Sequence, residues 1–166
     1  MQISYGKGFE IAAKPLEIRE QILKLEAAML AQTEGIDIGG KTYPLRHYRA
    51  DGMIAREILL RKHSIVVGKI HKHAHLNLIS LGHVRVLTED GAIEMKAPLT
   101  FTSSVGTKRV VYALEDTVWT TFHLNPNNLD PESEDDMIKL ENEIIAKSYD
   151  DVPQIAGQKP VLEVVA

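Results

Sequence analysis

The length, composition and charge of this chain describe one ordinary globular domain. Its 166 residues are 44% hydrophobic and 25% charged, with a formal net charge of -4 and no cysteine. The acidic balance argues against nucleic-acid or anionic-membrane partners, and the lack of cysteine excludes disulfides and thiolate chemistry. The first ten residues have no apolar signal core, and no apolar run is long enough to span a bilayer, so we expect a cytoplasmic protein.

Residues 1–52 are predicted to form one helix and a turn-rich arm that packs on the main domain. From Pro15 to about Gln32, apolar residues recur at steps of three and four, which predicts a helix with one apolar face. These apolar residues are Ile18, Ile22, Leu25 and Met29. Gly35 suits the end of this helix, and the stretch from there to Gly52 predicts turns, with a short strand around Lys41–Tyr43.

Residues 53–124 are predicted to form a β-barrel or sandwich. Short runs of Val, Ile, Leu and Thr are separated by turn residues about every eight to ten positions, and no helical period interrupts them. The predicted strands are Ile54–Leu60, Ser64–Ile70, Ala74–Leu81, His83–Thr88, Ala92–Ala97, Leu99–Thr102, Arg109–Ala113 and Thr117–His123. Asp90-Gly91 predicts a hairpin turn, and Gly82 and Gly106 predict tight bends.

Residues 125–166 are predicted to return to helix and then to a tail, within the same single domain. The helix begins at Asp130-Pro131 and ends near Lys147, with an apolar stripe made of Met137, Leu140 and Ile144. The apolar run Val161–Val165 suits an edge strand on a neighbouring subunit. Together with the amphipathic N-terminal helix, this run predicts a homo-oligomer, a dimer or larger.

The most informative motif is a cluster of three histidines, His71, His73 and His75. If the segment is one strand, its alternation points all three imidazoles to the same face. Each can bind zinc, iron, nickel or manganese through a neutral ring nitrogen, although the third need not take part. His123 ends a later strand and can converge on the same spot. The alternative is a solvated strand end, or a polar pocket without metal.

Two segments resemble the sequence motifs of the cupin superfamily. Residues 68–82, with their histidines and closing glycine, are similar to the first cupin motif, and residues 102–109 are similar to the second. The resemblance implies a mainly β, cupin-like jelly-roll barrel that holds a metal or a small ligand in its mouth. Further segments, residues 106–109 and 115–123 with the helix that follows, resemble uncharacterised cupin-like proteins of tailed bacteriophages.

The chain departs from the ligand pattern that this resemblance implies. Counting back from Gly82 puts the usual glutamate on His75, or on Asn77 or Leu78 in the other register, and Arg109 replaces the histidine of the second motif. The usual set of three histidines and one glutamate is therefore incomplete. A metal would depend on His71, His73, His75 and His123 in a non-standard combination.

Arg109 points to the recognition of an anion instead. A guanidinium repels a cation and can hold a carboxylate or phosphate through two hydrogen bonds. The predicted ligand-binding residues are Lys69, His71, His75, Arg109, Trp119 and His123. The alternatives are that Lys108 and Arg109 form a solvated surface pair, and that Trp119 is an ordinary core residue.

These residues favour a protein that binds a small anionic molecule in a histidine- and arginine-lined pocket. A metal-dependent enzyme acting on a small anion is the alternative, and a virion or assembly component is a further one. No nucleophilic triad can be assembled, and no nucleotide or flavin cofactor is expected. If the chain is phage-encoded, the expected location is the host cytoplasm or the virion.

Overall fold

The computed structural model describes residues 15–32, 43 and 45–152. The predicted helix stop at Gly35, the strand residues Lys41 and Thr42 and the Val161–Val165 tail lie outside the described residues. The helices are α1 (Pro15–Ala31), α2 (Glu134–Ile144) and a short 3-10 turn, Tyr149–Asp151. The strands are β1 (Leu45–Ala50), β2 (Gly52–Leu60), β3 (Ile65–Val67), β4 (Ile70–His71), β5 (His75–Leu81), β6 (His83–Thr88), β7 (Gly91–Lys96), β8 (Leu99–Ser103), β9 (Val110–Ala113), β10 (Thr117–Asn125) and β11 (Ile145–Ala146).

The strands form two main antiparallel sheets. One has the order β1-β2-β10-β5-β8 and the other the order β3-β9-β6-β7. Strands that follow one another in the chain therefore pass repeatedly from one sheet to the other, and the early strand β2 pairs with the late strand β10, as in a double Greek-key jelly roll. The predicted mainly β, cupin-like jelly-roll barrel with a helix at each end is confirmed.

The hydrophobic core lies between the two sheets. Alternate residues along each strand turn inward, which is the period of two that a sheet with one buried face requires. The fully buried members come from both sheets: Leu60, Ile79, Val84, Val86, Met95, Phe101, Val111, Ala113 and Trp119. The turn between β5 and β6 requires Gly82, since its φ is 95° and an added Cβ would lie 2.3 Å from the carbonyl oxygen of Asp116.

Helix α1 is attached to the barrel by apolar and ionic contacts. Ile18 and Ile22, one turn apart, are buried as the apolar period predicts, whereas Leu25 of the same predicted stripe is exposed. Arg19 donates two hydrogen bonds of 2.7 Å to the carboxylate of Glu89 in the β6–β7 turn. No helix in the described residues has the length and apolar composition needed to cross a membrane.

Helix α2 is shorter than predicted at both ends. The side chain of Ser133 caps it by accepting a hydrogen bond from the Asp136 amide, and three acidic residues in its first turn complement the helix dipole. Leu140 and Ile144 pack on Ile54 of β2. The helix stops at Ile144 because the next residue is extended and pairs with β4.

One further strand was not predicted. Residues 45–50 fall in the stretch predicted as turns, yet they form β1, which pairs with β2 at the edge of the larger sheet. Almost every side chain of β1 is exposed, so its sequence carries no apolar alternation. Its pairing comes from backbone hydrogen bonds, which leave no pattern in the sequence.

Candidate metal and anion site

Three histidines converge at one end of the barrel. His71 ends β4, His75 begins β5, and His123 lies near the end of β10, the strand next to β5. The ring centroids are 4.3 Å apart for His71 and His75, 4.7 Å for His75 and His123, and 5.1 Å for His71 and His123. Each ring offers one nitrogen, and these three atoms all lie within 4.8 Å of one another.

His73, predicted as a fourth ligand, lies outside this cluster. The segment from His71 to His75 is not one strand, because Lys72 and His73 form a bend between β4 and β5. The strand alternation assumed for the three imidazoles is therefore wrong, and the His73 side chain is exposed. The backbone of His73 still contributes, since its carbonyl oxygen lies 3.2 Å from Nδ1 of His75.

Two nitrogens of the cluster are buried without a hydrogen-bond partner among the described residues, Nδ1 of His71 and Nε2 of His75. Because a carbonyl oxygen can only accept, Nδ1 of His75 carries the proton and its Nε2 carries a free lone pair. A histidine that ligates a metal commonly donates its other N–H to a backbone carbonyl in this way. The hydrogen bond therefore leaves Nε2 of His75 as the nitrogen that could bind a metal.

The cluster is uncharged at neutral pH. Burial lowers the pKa of His75 to about 4 and the pKa of His123 to about 3. Burial and the neighbouring His75 and His123 rings lower the pKa of His71 further still. Three neutral imidazoles are in the form that binds a transition metal.

The residues present fit a divalent metal ion. The nitrogens of a tetrahedral zinc site lie roughly 3.4 Å apart, somewhat closer than the 4.8 Å limit of this cluster. Imidazole ligands suit zinc, iron and nickel. Among the described residues the cluster contains no acidic member, so the structure brings together three histidines without the glutamate of the usual cupin set.

Arg109 lies beside this cluster. It precedes β9 in the other sheet, and its side chain is only 7% exposed. One guanidinium nitrogen donates to the hydroxyl of Ser103 on β8, and Ser103 lies directly opposite His75 in the β5–β8 pair. Burial lowers the pKa of Arg109 to about 10, so the group stays cationic at neutral pH. The alternative of a solvated Lys108–Arg109 surface pair is wrong.

A buried chain of hydrogen bonds holds the Ser103 hydroxyl in place. Trp119 donates from Nε1 to Oδ1 of Asn77 at 3.0 Å, and Asn77 donates from Nδ2 to the Ser103 hydroxyl at 2.8 Å. The Arg109 guanidinium carbon lies 5.4 Å from the Trp119 ring centroid. Trp119 is thus a core residue that also forms a wall beside Arg109, which combines the two predicted interpretations.

The two lysines near the motif form ion pairs with helices. Lys69, predicted to bind ligand, is paired with Glu141 of α2 at 2.6 Å, and its side chain is 58% exposed. Lys108 is buried and paired with Glu26 of α1 at 2.7 Å. Both ammonium groups therefore have a carboxylate partner, whereas no carboxylate of the described residues lies within 4 Å of the Arg109 guanidinium.

Four residues of the site were not predicted from the sequence: Arg56, Asn77, Ser103 and Glu141. Arg56 is paired with Glu141 at 2.8 Å at the same end of the barrel. Asn77 shares the inward face of β5 with His75, so strand alternation alone could have found it. Ser103, Arg56 and Glu141 reach the site through long-range pairing, which leaves no local signal.

Comparisons with known proteins found similarities to solved structures. No protein-family model matches the chain, and no curated protein matches it. A cupin superfamily protein from Desulfitobacterium hafniense is 11% identical with a TM-score of 0.44, covering 54% of this chain and 83% of its own. A cupin-2 domain protein from Shewanella frigidimarina is 8% identical with a TM-score of 0.42, and the match covers 65% of this chain and 99% of that protein. Salicylate 1,2-dioxygenase from Pseudoaminobacter salicylatoxidans is 9% identical with a TM-score of 0.47, and the match covers 80% of this chain and 36% of that enzyme.

These similarities are similarities of fold alone. The class that the topology defines is a cupin-like jelly-roll protein, and the site adds a cluster of three histidines that could hold a metal. The expected relation to phage-encoded proteins stays a prediction.

Proposed function

We propose that this protein binds a divalent transition metal through His71, His75 and His123 and holds a small anionic molecule between that metal and Arg109. The observation that carries the proposal is the buried Arg109 guanidinium, which has no acidic partner among the described residues. It lies one cross-strand pair from a buried imidazole with a free lone pair. Each of these features costs free energy unless a ligand compensates it.

The metal part of the proposal depends on the donor set. Three neutral imidazoles supply enough ligands for a structural or catalytic ion, and Nε2 of His75 has no other partner among the described residues. The anion part depends on Arg109, because the one hydrogen bond that its guanidinium donates to a described residue goes to a neutral hydroxyl. A bound carboxylate or phosphate supplies the negative charge that this guanidinium lacks.

An enzymatic role is the second candidate, and one feature favours it. A site with three protein ligands leaves at least one coordination position open, as in catalytic zinc sites. When bound, such an ion supplies Lewis-acid activation of a substrate or water. The residues of this chain would orient the substrate through Arg109 and keep the three imidazoles neutral.

Native mass spectrometry with elemental analysis tests the proposal. The protein is purified without a histidine tag or chelator, and we expect one transition-metal ion per chain together with a retained small anion. Arg109→Ala should release the anion and keep the metal. Wild-type protein that carries neither a metal nor an anion, and takes up no zinc, nickel, iron or manganese when these are added, would overturn the proposal. Turnover of the identified anion would select the enzymatic candidate.

A further inference from the structure

The site has an excess of positive charge once a metal is bound, and this excess indicates the class of ligand. A divalent ion on three neutral imidazoles keeps its two positive charges, and the cluster holds no acidic residue among those described. Arg109 adds a third positive charge within the same buried region. A monovalent anion would leave two of these three charges uncompensated, whereas a dianion would leave one.

The other cations of this region do not need a ligand. Arg56 and Lys69 share the carboxylate of Glu141, at 2.8 Å and 2.6 Å. Lys108 is paired with Glu26 and also donates to the carbonyl oxygen of Gly68. Within the part of the chain that the structure describes, the uncompensated charge is therefore divided between two places, the metal on the three histidines and Arg109.

These two places are close enough for one small molecule to reach both. His75 and Ser103 are directly opposite on neighbouring strands, where Cβ atoms are about 4.5–5.5 Å apart. Arg109 is hydrogen-bonded to the Ser103 side chain, so its guanidinium lies one side chain away from the His75 ring. That separation suits a molecule of a few carbon atoms with an anionic group at each end.

The guanidinium is held in one position. Ser103 receives hydrogen bonds from both Arg109 and Asn77, and the rings of Phe101 and Trp119 lie 6.0 Å and 5.4 Å from the Arg109 guanidinium carbon. A fixed guanidinium can hold an anionic group through two parallel hydrogen bonds, and a carboxylate is such a group.

We infer that the ligand is a small dianion, such as a short dicarboxylate, with one anionic group at the metal and the other at Arg109. This inference rests on the proposed function, because it requires the metal. It goes further in naming two separated anionic groups, and it predicts that neither a simple monocarboxylate nor a phosphate alone occupies the site well.

Trp119 provides the measurement, since it is the chain's single tryptophan and lies against Arg109. Zinc-loaded protein is titrated with malonate and succinate, and with propionate and butyrate as monoanions of equal carbon number. Tryptophan fluorescence gives the dissociation constants, and native mass spectrometry counts zinc and ligand in each complex. We expect the better dicarboxylate to bind at least about tenfold tighter than its monocarboxylate, which corresponds to about 1.4 kcal/mol.

The variants assign this preference to Arg109. Arg109→Gln should abolish the dicarboxylate preference while the zinc stays bound, and Arg109→Lys, which keeps the charge, should retain part of it. Arg85→Gln is the matched control, since it removes an arginine paired with Glu94 on the outer surface and should change nothing. If Arg109→Gln does not fold, Arg109→Lys and the wild-type series still decide the question.

The outcomes separate the two proposals. Zinc binding with equal affinity for dicarboxylates and monocarboxylates would overturn the dianion inference and leave the metal site standing. A dicarboxylate preference that survives in Arg109→Gln would also overturn it. Protein that binds no zinc, nickel, iron or manganese and retains no anion would overturn the proposed function, and the dianion inference with it.

Discussion

Ser103 lies directly opposite His75 on neighbouring strands β8 and β5. Through this pair, the hydroxyl that accepts a hydrogen bond from Arg109 is placed beside an imidazole whose Nε2 has no hydrogen-bond partner among the described residues. One strand register therefore sets the distance between the anion-binding and metal-binding parts of the candidate site. A shift by one residue would turn His75 to the outer face of the sheet.

Replacing a clustered histidine should weaken metal binding, whereas replacing His73 should not. We expect His75→Ala to weaken zinc binding by more than the roughly 10- to 100-fold typical of outer-shell changes, as measured by competition with a chromogenic chelator. His73→Ala is the matched control, because its exposed imidazole lies outside the cluster while its backbone carbonyl stays available to His75. Equal losses in both variants would contradict the assignment of His71, His75 and His123 as the ligands.

The metal-free protein should lose stability as the pH falls below about 6.5. The unfolded chain takes up protons on its histidines near that pH, whereas in the folded chain the pKa of His75 is about 4 and that of His123 about 3. Acid therefore favours the unfolded state, and the histidine contribution is complete above pH 6.5 and lost toward pH 3 to 4. Each of these histidines lowers the free energy of unfolding by up to about 1.4 kcal/mol for each pH unit of acidification.

Urea unfolding between about pH 7.5 and about pH 5 measures this dependence before most carboxylates titrate. A variant carrying His75→Gln and His123→Gln should show a flatter decline of the unfolding free energy over the same range. A wild-type free energy that stays constant from about pH 6.5 to about pH 5 would show that the cluster is solvated and not buried.

The Ser103 hydroxyl should matter for stability in the ligand-free protein. Ser103→Ala removes the one hydrogen-bond acceptor that the described residues provide for the buried Arg109, and we expect a loss of about 1–3 kcal/mol in the free energy of unfolding. Ser80→Ala, at an exposed serine on the neighbouring strand β5, should change it by less than about 0.5 kcal/mol. Urea denaturation of both variants makes the comparison, and similar values for the two would show that Arg109 does not depend on Ser103.

The attachment of α1 should depend on one buried charge. Glu26→Ala leaves the ammonium of Lys108, only 4% exposed, without its carboxylate, and the expected cost is about 3–5 kcal/mol. Glu20→Ala removes an exposed carboxylate from the same helix and serves as the control. Hydrogen exchange should show faster exchange in α1 only for Glu26→Ala. Equal exchange in both variants would mean that Ile18, Ile22 and the Arg19–Glu89 pair hold the helix without the Glu26–Lys108 pair.

The sequence predicted the parts of this molecule that depend on local periodicity. Strand alternation predicted β6 with its observed bounds, His83–Thr88, and the turn glycines Gly82 and Gly106 have the positive φ angles expected of tight bends. The site could be predicted only in part, because histidine spacing indicates the cluster whereas Ser103 and Glu141 depend on which strands and helices meet. The bend at His73 also had no local signal, since histidine and lysine suit a strand and a loop equally.

The outer face of the larger sheet offers a surface for the expected homo-oligomer. Met53 and Leu124 are cross-strand partners and are 44% and 75% exposed, and Leu76 on β5 turns the same way and is 50% exposed. These three side chains form an apolar surface on one sheet face, and we propose that a second copy covers it. Leu124→Glu should then shift the protein from dimer to monomer in sedimentation analysis at micromolar concentration. Ile65→Glu, at a 47% exposed position in the other sheet, should leave the mass unchanged, and a monomeric wild type would refute this interface.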